Sequence, residues 1–115
     1  MTDEGAPLPP ILAEQIDLLR AQFDPADPAP PDLLLRVVDA VLLNLCEYAE
    51  ADMALLNRVM GMRAAADGVA RAMQEPETTD TVEAYVRFAD ELDALVDVLG
   101  RSRPSAMSRA MGLIW

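Results

Sequence analysis

Apolar positions crowd one stretch of the chain, LLLRVVDAVLLNLCEYAEADMALLNRVM, from Leu33 to Met60. At 100° per residue its Arg36, Asp39, Glu47, Glu50, Asn57 and Arg58 share an arc about 100° wide, leaving an arc of about 220° almost wholly apolar. So broad an apolar arc needs cover on more than one side, as in a central helix or at an interface. Two polar residues violate it: Asn44 near its edge and Asp52 near its centre. An ionised carboxylate in an apolar arc must be paired, hydrated or protonated. Asp52 is therefore expected either to set register against a partner or to reach water where cover is incomplete.

Past Met60 the pattern turns, because Arg63, Asp67 and Arg71 form an i, i+4, i+8 row on the formerly apolar side. A single straight helix from Asp32 to Met73 would be about 63 Å long, against a diameter of about 35 Å for a compact domain of this size. The helix is expected to kink or break, with Gly61 as the weak point, or else to extend towards a partner. Gly61, Ala65, Gly68 and Ala72 make a row of small residues that permits close approach of another helix and offsets the cost of glycine, about 1 kcal/mol per position.

On either side the periodicity predicts further helices. Leu12, Ile16, Leu19 and Phe23 recur at steps of four, three and four after Pro10, and Asp24-Pro25 ends that stripe. The segment DPADPAPP, with four prolines in eight residues, reads as a stiff spacer leading into the next helix, which Asp32 caps or opens. After the polar EPETTD loop, Thr79 or Asp80 is the expected N-cap of an amphipathic helix from Thr81 to Leu99. Its seam is Tyr85, Phe88, Leu92, Leu95 and Leu99, and Gly100 is the expected stop. In the last segment, RSRPSAMSRAMGLIW, Ser102 is the expected cap and Pro104 opens a short helix. Its apolar arc holds Met107, Ala110, Met111, Ile114 and Trp115, opposite Ser105, Ser108 and Arg109.

Composition narrows what this architecture can do. The 115 residues carry 20 acids against 9 bases for a net charge of −11, and every base is an arginine. Such a field repels phosphate backbones and anionic lipid, so nucleic acid and membrane insertion are not the expected partners. The polarity is uneven: Arg101, Arg103 and Arg109 lie among residues 101–115 with no acid, which places −14 on the first hundred residues. Cys46 is the one cysteine and lies in the most apolar run, where it reads as a small buried hydrophobe. The acidic MTDEG start lacks the basic and apolar regions of a signal peptide, so a cytoplasmic location is expected.

Catalytic chemistry is sparse. Without histidine there is no Ser-His-Asp or Cys-His system and no histidine metal site. The glycines form no phosphate loop, and no lysine serves Schiff-base chemistry. Carboxylates remain: Glu47 with Glu50, and Asp90 with Asp93, stand at i, i+3, the spacing that positions Mg²⁺ against a phosphate. The pattern resembles, at a coarse level, the carboxylates of all-α nucleotide pyrophosphatases such as the MazG group, which would imply a metal-dependent hydrolase. Both pairs fall on solvent-facing arcs with nothing basic beside them to grip phosphate. The expectation is therefore a solvated face, with no catalytic residue, metal or cofactor.

The resulting expectation is an all-α fold: a helical hairpin or small three- to four-helix bundle with a long, kinked or broken central helix and a short C-terminal helix or tail. Residues 1–31 would form a short helix and Pro-rich spacer, 32–100 the helical core, and 101–115 a basic, apolar tail. The expected function is non-catalytic protein–protein interaction, as an accessory subunit, adaptor or homo-oligomer. Asn44, Asp52, Met107, Met111, Ile114 and Trp115 are the candidate partner-binding residues, since Trp, Met and Arg are enriched at interfaces. The tail docks either on its own acidic bundle or in a partner's groove, the second being favoured. The alternative is an apolar small-molecule carrier whose methionines line a cavity; the nucleotide hydrolase stands third.

Overall fold

Each helix starts where its free N–H groups find an acceptor or are removed. A computed structural model describes residues 8–22, 24, 26–27, 29–78 and 80–113, and among them the chain forms five helices: α1 (Pro10–Gln22), α2 (Pro31–Tyr48), α3 (Met53–Gln74), α4 (Thr81–Gly100) and α5 (Ala106–Ala110). Pro31 opens α2 at the position where a missing N–H costs nothing, and Asp32 lies in its first turn without capping it. Asp52 caps α3 by accepting from the Leu55 N–H at 2.9 Å. Asp80 caps α4 through the Glu83 N–H at 3.1 Å. Ser105 caps α5 through the Ser108 N–H at 3.0 Å.

Successive helices fold back on one another as antiparallel hairpins. Asn44 Nδ2 donates to Gln15 Oε1 at 3.1 Å between α2 and α1, and Arg63 Nε donates to Asp39 Oδ1 at 2.6 Å between α3 and α2. Arg58 Nη1 stands 3.9 Å from Glu91 Oε1 between α3 and α4, the most extensive helix pair. Asp39 and Arg63 lie at similar distances from the α2–α3 junction, as antiparallel packing requires. The α1–α2 and α3–α4 connections therefore share one end of the bundle. The α2–α3 junction and the end of α4 share the other.

The core is aliphatic. Leu12, Ile16 and Leu19 of α1 meet Leu34, Val38, Val41 and Leu45 of α2, while Phe88, Leu92, Leu95 and Leu99 of α4 supply the seam expected of them, with Tyr85 half-buried at its start. From α3 come Leu55, Met62, Ala65, Ala66, Val69 and Ala72. Three members of the small-residue row face this packing: Ala65 and Ala72 are buried, and a Cβ on Gly61 would lie 2.6 Å from Glu91 Oε1. Gly68 has open space around its Cα.

The bundle corrects several expectations. The apolar run from Leu33 to Met60 is not one helix: it breaks between Tyr48 and Met53, with Ala49 extended at φ −99° and ψ 153°. Gly61, the expected weak point, lies inside α3. Two helices with separate buried stripes replace the 220° arc, which is why Leu43, Met53 and Met60 remain exposed. Asp52 was read as a carboxylate inside an apolar arc; it stands instead at a helix start, exposed, with its charge at the positive end of the α3 dipole. α4 ends at Gly100, as its last helical residue and one past the expected Leu99, without the left-handed backbone of a glycine cap. Phe23 and Thr79, assigned to the first stripe and to a cap, lie outside the described residues. Asp52→Ala should lower stability by about 1 kcal/mol, the usual worth of an N-cap; an unchanged midpoint in urea denaturation would show that another group holds the break.

Candidate functional site

Two surfaces at opposite ends of the bundle carry the residues that the hydrophobic core does not use. The first is built around the α2–α3 break. When a helix ends in an extended residue, its last carbonyls lose their donors. Ala49 N–H still bonds Leu45 O at 2.9 Å, but the carbonyls of Glu47 and Tyr48 are served from the far end of the chain. Ser105 Oγ donates to Glu47 O at 2.6 Å and Ser108 Oγ to Tyr48 O at 2.7 Å, while the Ser105 N–H also reaches Tyr48 O at 2.9 Å. Pro104 pairs with Ala49, and the Glu50 N–H donates to Arg103 O at 2.7 Å. The segment from Arg103 to Ser108 is thus clamped to its own bundle by polar contacts.

This inverts the expected face of the short helix. Ser105 and Ser108, placed on the solvent side by periodicity, make the contact, and Ser108 is fully buried. Ser102, the expected cap, instead donates to Val98 O at 2.9 Å and closes α4. Met107 and Met111 project outward, 41% and 62% exposed. Gly112, at φ 80°, ends α5 with its N–H on Arg109 O and the Leu113 N–H on Ser108 O, the paired bonds of a Schellman stop. Ile114 and Trp115 lie outside the described residues.

The second surface is a groove of about 450 Å³ at the opposite end, between the last turn of α3 and the first turns of α4, lined by Ala72, Met73, Pro76, Thr81, Val82, Tyr85 and Val86. Its wall is openly apolar, with Val82 73% and Val86 55% exposed. The chain that forms it is mixed in charge: residues 71–87 carry Glu75, Glu77, Asp80 and Glu83 against Arg71 and Arg87, all of them exposed. Asp24, from the connection after α1, adds its charge beside Tyr85. The Tyr85 hydroxyl is pushed above its ordinary value, first by burial and then by that carboxylate. A third, narrower stripe of Met53, Leu56 and Met60 runs along the exposed side of α3.

The other candidate residues fall apart in space or into structural roles. Asn44 is engaged by Gln15 and Asp52 by its own helix. Glu47 is in α2 but Glu50 lies beyond its end, so those two carboxylates do not share a helical face; Asp90 and Asp93 are exposed on α4. Among the described residues no three acidic or cysteine side chains converge as a metal site would require. The carboxylates that do act are Asp39 and Asp67: burial works against the Arg63 charge, yet both acids bond it and hold its proton more firmly than usual. Cys46 is half-buried, and burial raises its thiol pKa, which disfavours the reactive thiolate. The methionines do not gather round one cavity. Met62 is core, Met73 lines the groove, and Met53, Met60, Met107 and Met111 are exposed.

No helix among the described residues is long and apolar enough to cross a membrane. Comparison with protein-family models, with curated proteins and with solved structures finds no match for this chain. The class defined here is therefore architectural: a small all-α bundle with its α2–α3 junction clamped by a later segment and an open apolar groove at its other end.

Replacing Ser105 and Ser108 together by Ala should leave helix content almost unchanged but cost about 1–3 kcal/mol in all, since Glu47 O is left to water, Tyr48 O keeps only the Ser105 N–H, and α5 loses its N-cap. Amide exchange over residues 103–110 should accelerate well beyond that of α4; equal acceleration throughout would mean that the clamp is not local. In a Tyr48→Phe background, ultraviolet titration should place the Tyr85 phenol above the ordinary 10.0. Asp24→Asn should remove part of that rise and leave the part due to burial. Because the folded value is the higher one, the stability linked to the neutral phenol is intact below pH 10 and is lost as pH rises through the folded value.

Proposed function

We propose that the chain is a non-catalytic protein–protein interaction module and that the groove at the α3–α4 turn is its principal docking surface. The observation that carries this reading is the groove's composition: exposed valines and a half-buried methionine and tyrosine in the centre, in a stretch of chain bearing Glu75, Glu77, Asp80, Glu83, Arg71 and Arg87. An apolar centre within a charged rim is the arrangement of a recognition surface, in which the centre supplies affinity and the rim supplies orientation and rate. A partner with an apolar helix face and flanking charges of both signs fits it. The exposed methionines of α3 and α5 extend the apolar surface available for contact, and thioethers adapt readily to a partner's shape.

A second reading has one observation in its favour. A volume of about 450 Å³ falls within the range of small-molecule sites, so an apolar ligand could occupy the groove in the manner of a carrier. Against it stands the exposure of Val82 and Val86, which leaves such a ligand half in water.

Native mass spectrometry on the purified chain separates the two. A bound protein chain, whether a second copy or a different one, is the expected species, and it should be lost in the Val82→Asp, Val86→Asp variant. Aspartate in the first turn of α4 is compatible with the helix dipole, so folding should survive. A small apolar adduct lost in the same variant would give the groove to the carrier reading. Mg²⁺-dependent hydrolysis of a nucleotide would replace both.

A further inference from the structure

Residues 103–113 are held to the bundle in a way that α1 to α4 are not. Each of the four longer helices gives apolar side chains to one shared core, whereas no residue of α5 belongs to it. Ser108 is the buried residue of this segment, and the apolar side chains around it, Ala106, Met107, Ala110 and Met111, are exposed. What fastens the segment is hydrogen bonding to the end of α2. Ser105 Oγ donates to Glu47 O at 2.6 Å, Ser105 N–H and Ser108 Oγ donate to Tyr48 O at 2.9 and 2.7 Å, and Glu50 N–H donates to Arg103 O at 2.7 Å.

These bonds depend on one another. Ser105 makes two of them and also caps α5 through the Ser108 N–H, which sets the helix turn from which Ser108 reaches Tyr48. A helix of five residues does not stand alone, since isolated helices shorter than about 12–15 residues are marginal in water. Once Ser105 lets go, α5 has neither its anchor nor the length to persist. α4, by contrast, needs nothing from the segment that follows it. Its last carbonyls are closed locally, Val98 O by Arg101 N–H and Ser102 Oγ and Leu99 O by Ser102 N–H.

We infer that residues 103–113 form a strap that detaches from α2 and melts as one unit while α1 to α4 stay folded, and that each opening frees the α2–α3 junction. When closed, the strap occupies the carbonyls of Glu47 and Tyr48 and the N–H of Glu50, on either side of the extended Ala49. When open, water serves those groups as it serves any exposed helix end, and no side chain of α5 has to leave the core. The junction then presents an extended backbone with its donor and acceptors unengaged. The strap decides when that edge is accessible.

Native-state hydrogen exchange on the full chain, with amides resolved by NMR at increasing urea below the unfolding transition, is the test. The amides of Glu50, Ser105, Arg109, Met111 and Leu113 are all closed by bonds of the strap, and they should exchange through one common opening. Their protection should lie at least about a hundredfold below that of Leu92 and Leu95 in α4 and should change little with urea, because a local opening exposes little surface. Ser105→Ala removes an anchor and a cap together, and should lower the protection of Glu50, Arg109, Met111 and Leu113 by a common factor of at least about five, the worth of a lost cap.

Strap amides that are as protected as those of α4, and that fall with urea alongside them, would overturn the inference, since the strap would then open only with the whole bundle. Protection that declines step by step from Ser105 to Leu113 while Glu50 stays protected would overturn it too, as fraying from one end. So would a Ser105→Ala variant in which the amide of Glu50 is unaffected.

Discussion

The structure depends on how the carbonyls at the end of α2 are satisfied. A helix that stops without glycine, and turns at once into another helix, leaves acceptors that water or a neighbour must serve. Here a neighbour serves them: two serine hydroxyls and one backbone N–H from beyond α4 cover Glu47 and Tyr48, while Asp52 covers the start of α3. With both sides of the break satisfied, α2 and α3 can fold back as a hairpin, and the apolar run that looked like one over-wide face divides into two stripes on one core.

Much of this was legible in the sequence. The α4 seam, the Asp80 cap and the stripe of α1 all rest on local signals, namely period and capping, and the bundle follows them. The break was not legible because its causes are distant. Ala49 to Ala51 contain neither glycine nor proline, and the donors that make an extended residue tolerable there lie 58 and 60 positions away. Asp52 was visible as an anomaly and correctly singled out, but a carboxylate in an apolar arc and a carboxylate at a helix start look alike until the helix boundary is known. Ser105 and Ser108 were hidden for the opposite reason: on a five-residue helix periodicity has too few turns to choose a face, and a hydroxyl's affinity for a free carbonyl outweighed the burial of two methionines. The groove also escaped notice, since its wall joins residues on both sides of a polar loop.

Charge and apolar exposure are arranged along the length of the bundle. At the end with the α1–α2 and α3–α4 turns, an apolar depression lies between stretches that carry Glu75, Glu77, Asp80 and Glu83 with Arg71 and Arg87, and Asp24 acts on its Tyr85. At the other end, arginines accompany the exposed methionines of α5. Three arginines with partners in the described bundle serve it directly: Arg63 links α3 to α2, Arg58 faces Glu91 between α3 and α4, and Arg101 pairs with Asp97 at the exposed end of α4. Acids and arginines are mixed at both ends: Glu47, Glu50 and Asp52 stand beside Arg103 and α5, and Arg71 and Arg87 flank the groove.

The clamp between residues 103–108 and the end of α2 has a further consequence for how the chain comes to be folded. Closing a loop of nearly sixty residues costs only about 0.6 kcal/mol more for each doubling of its length, so the distance is thermodynamically mild. In time it is not. On a ribosome, α1 and α2 emerge and can pair long before Ser105 and Ser108 exist, and until those serines arrive the α2 carbonyls have no donor but water. The residues ahead of the clamp must wait, with the junction between α2 and α3 unlocked, until Ser105 and Ser108 have been made.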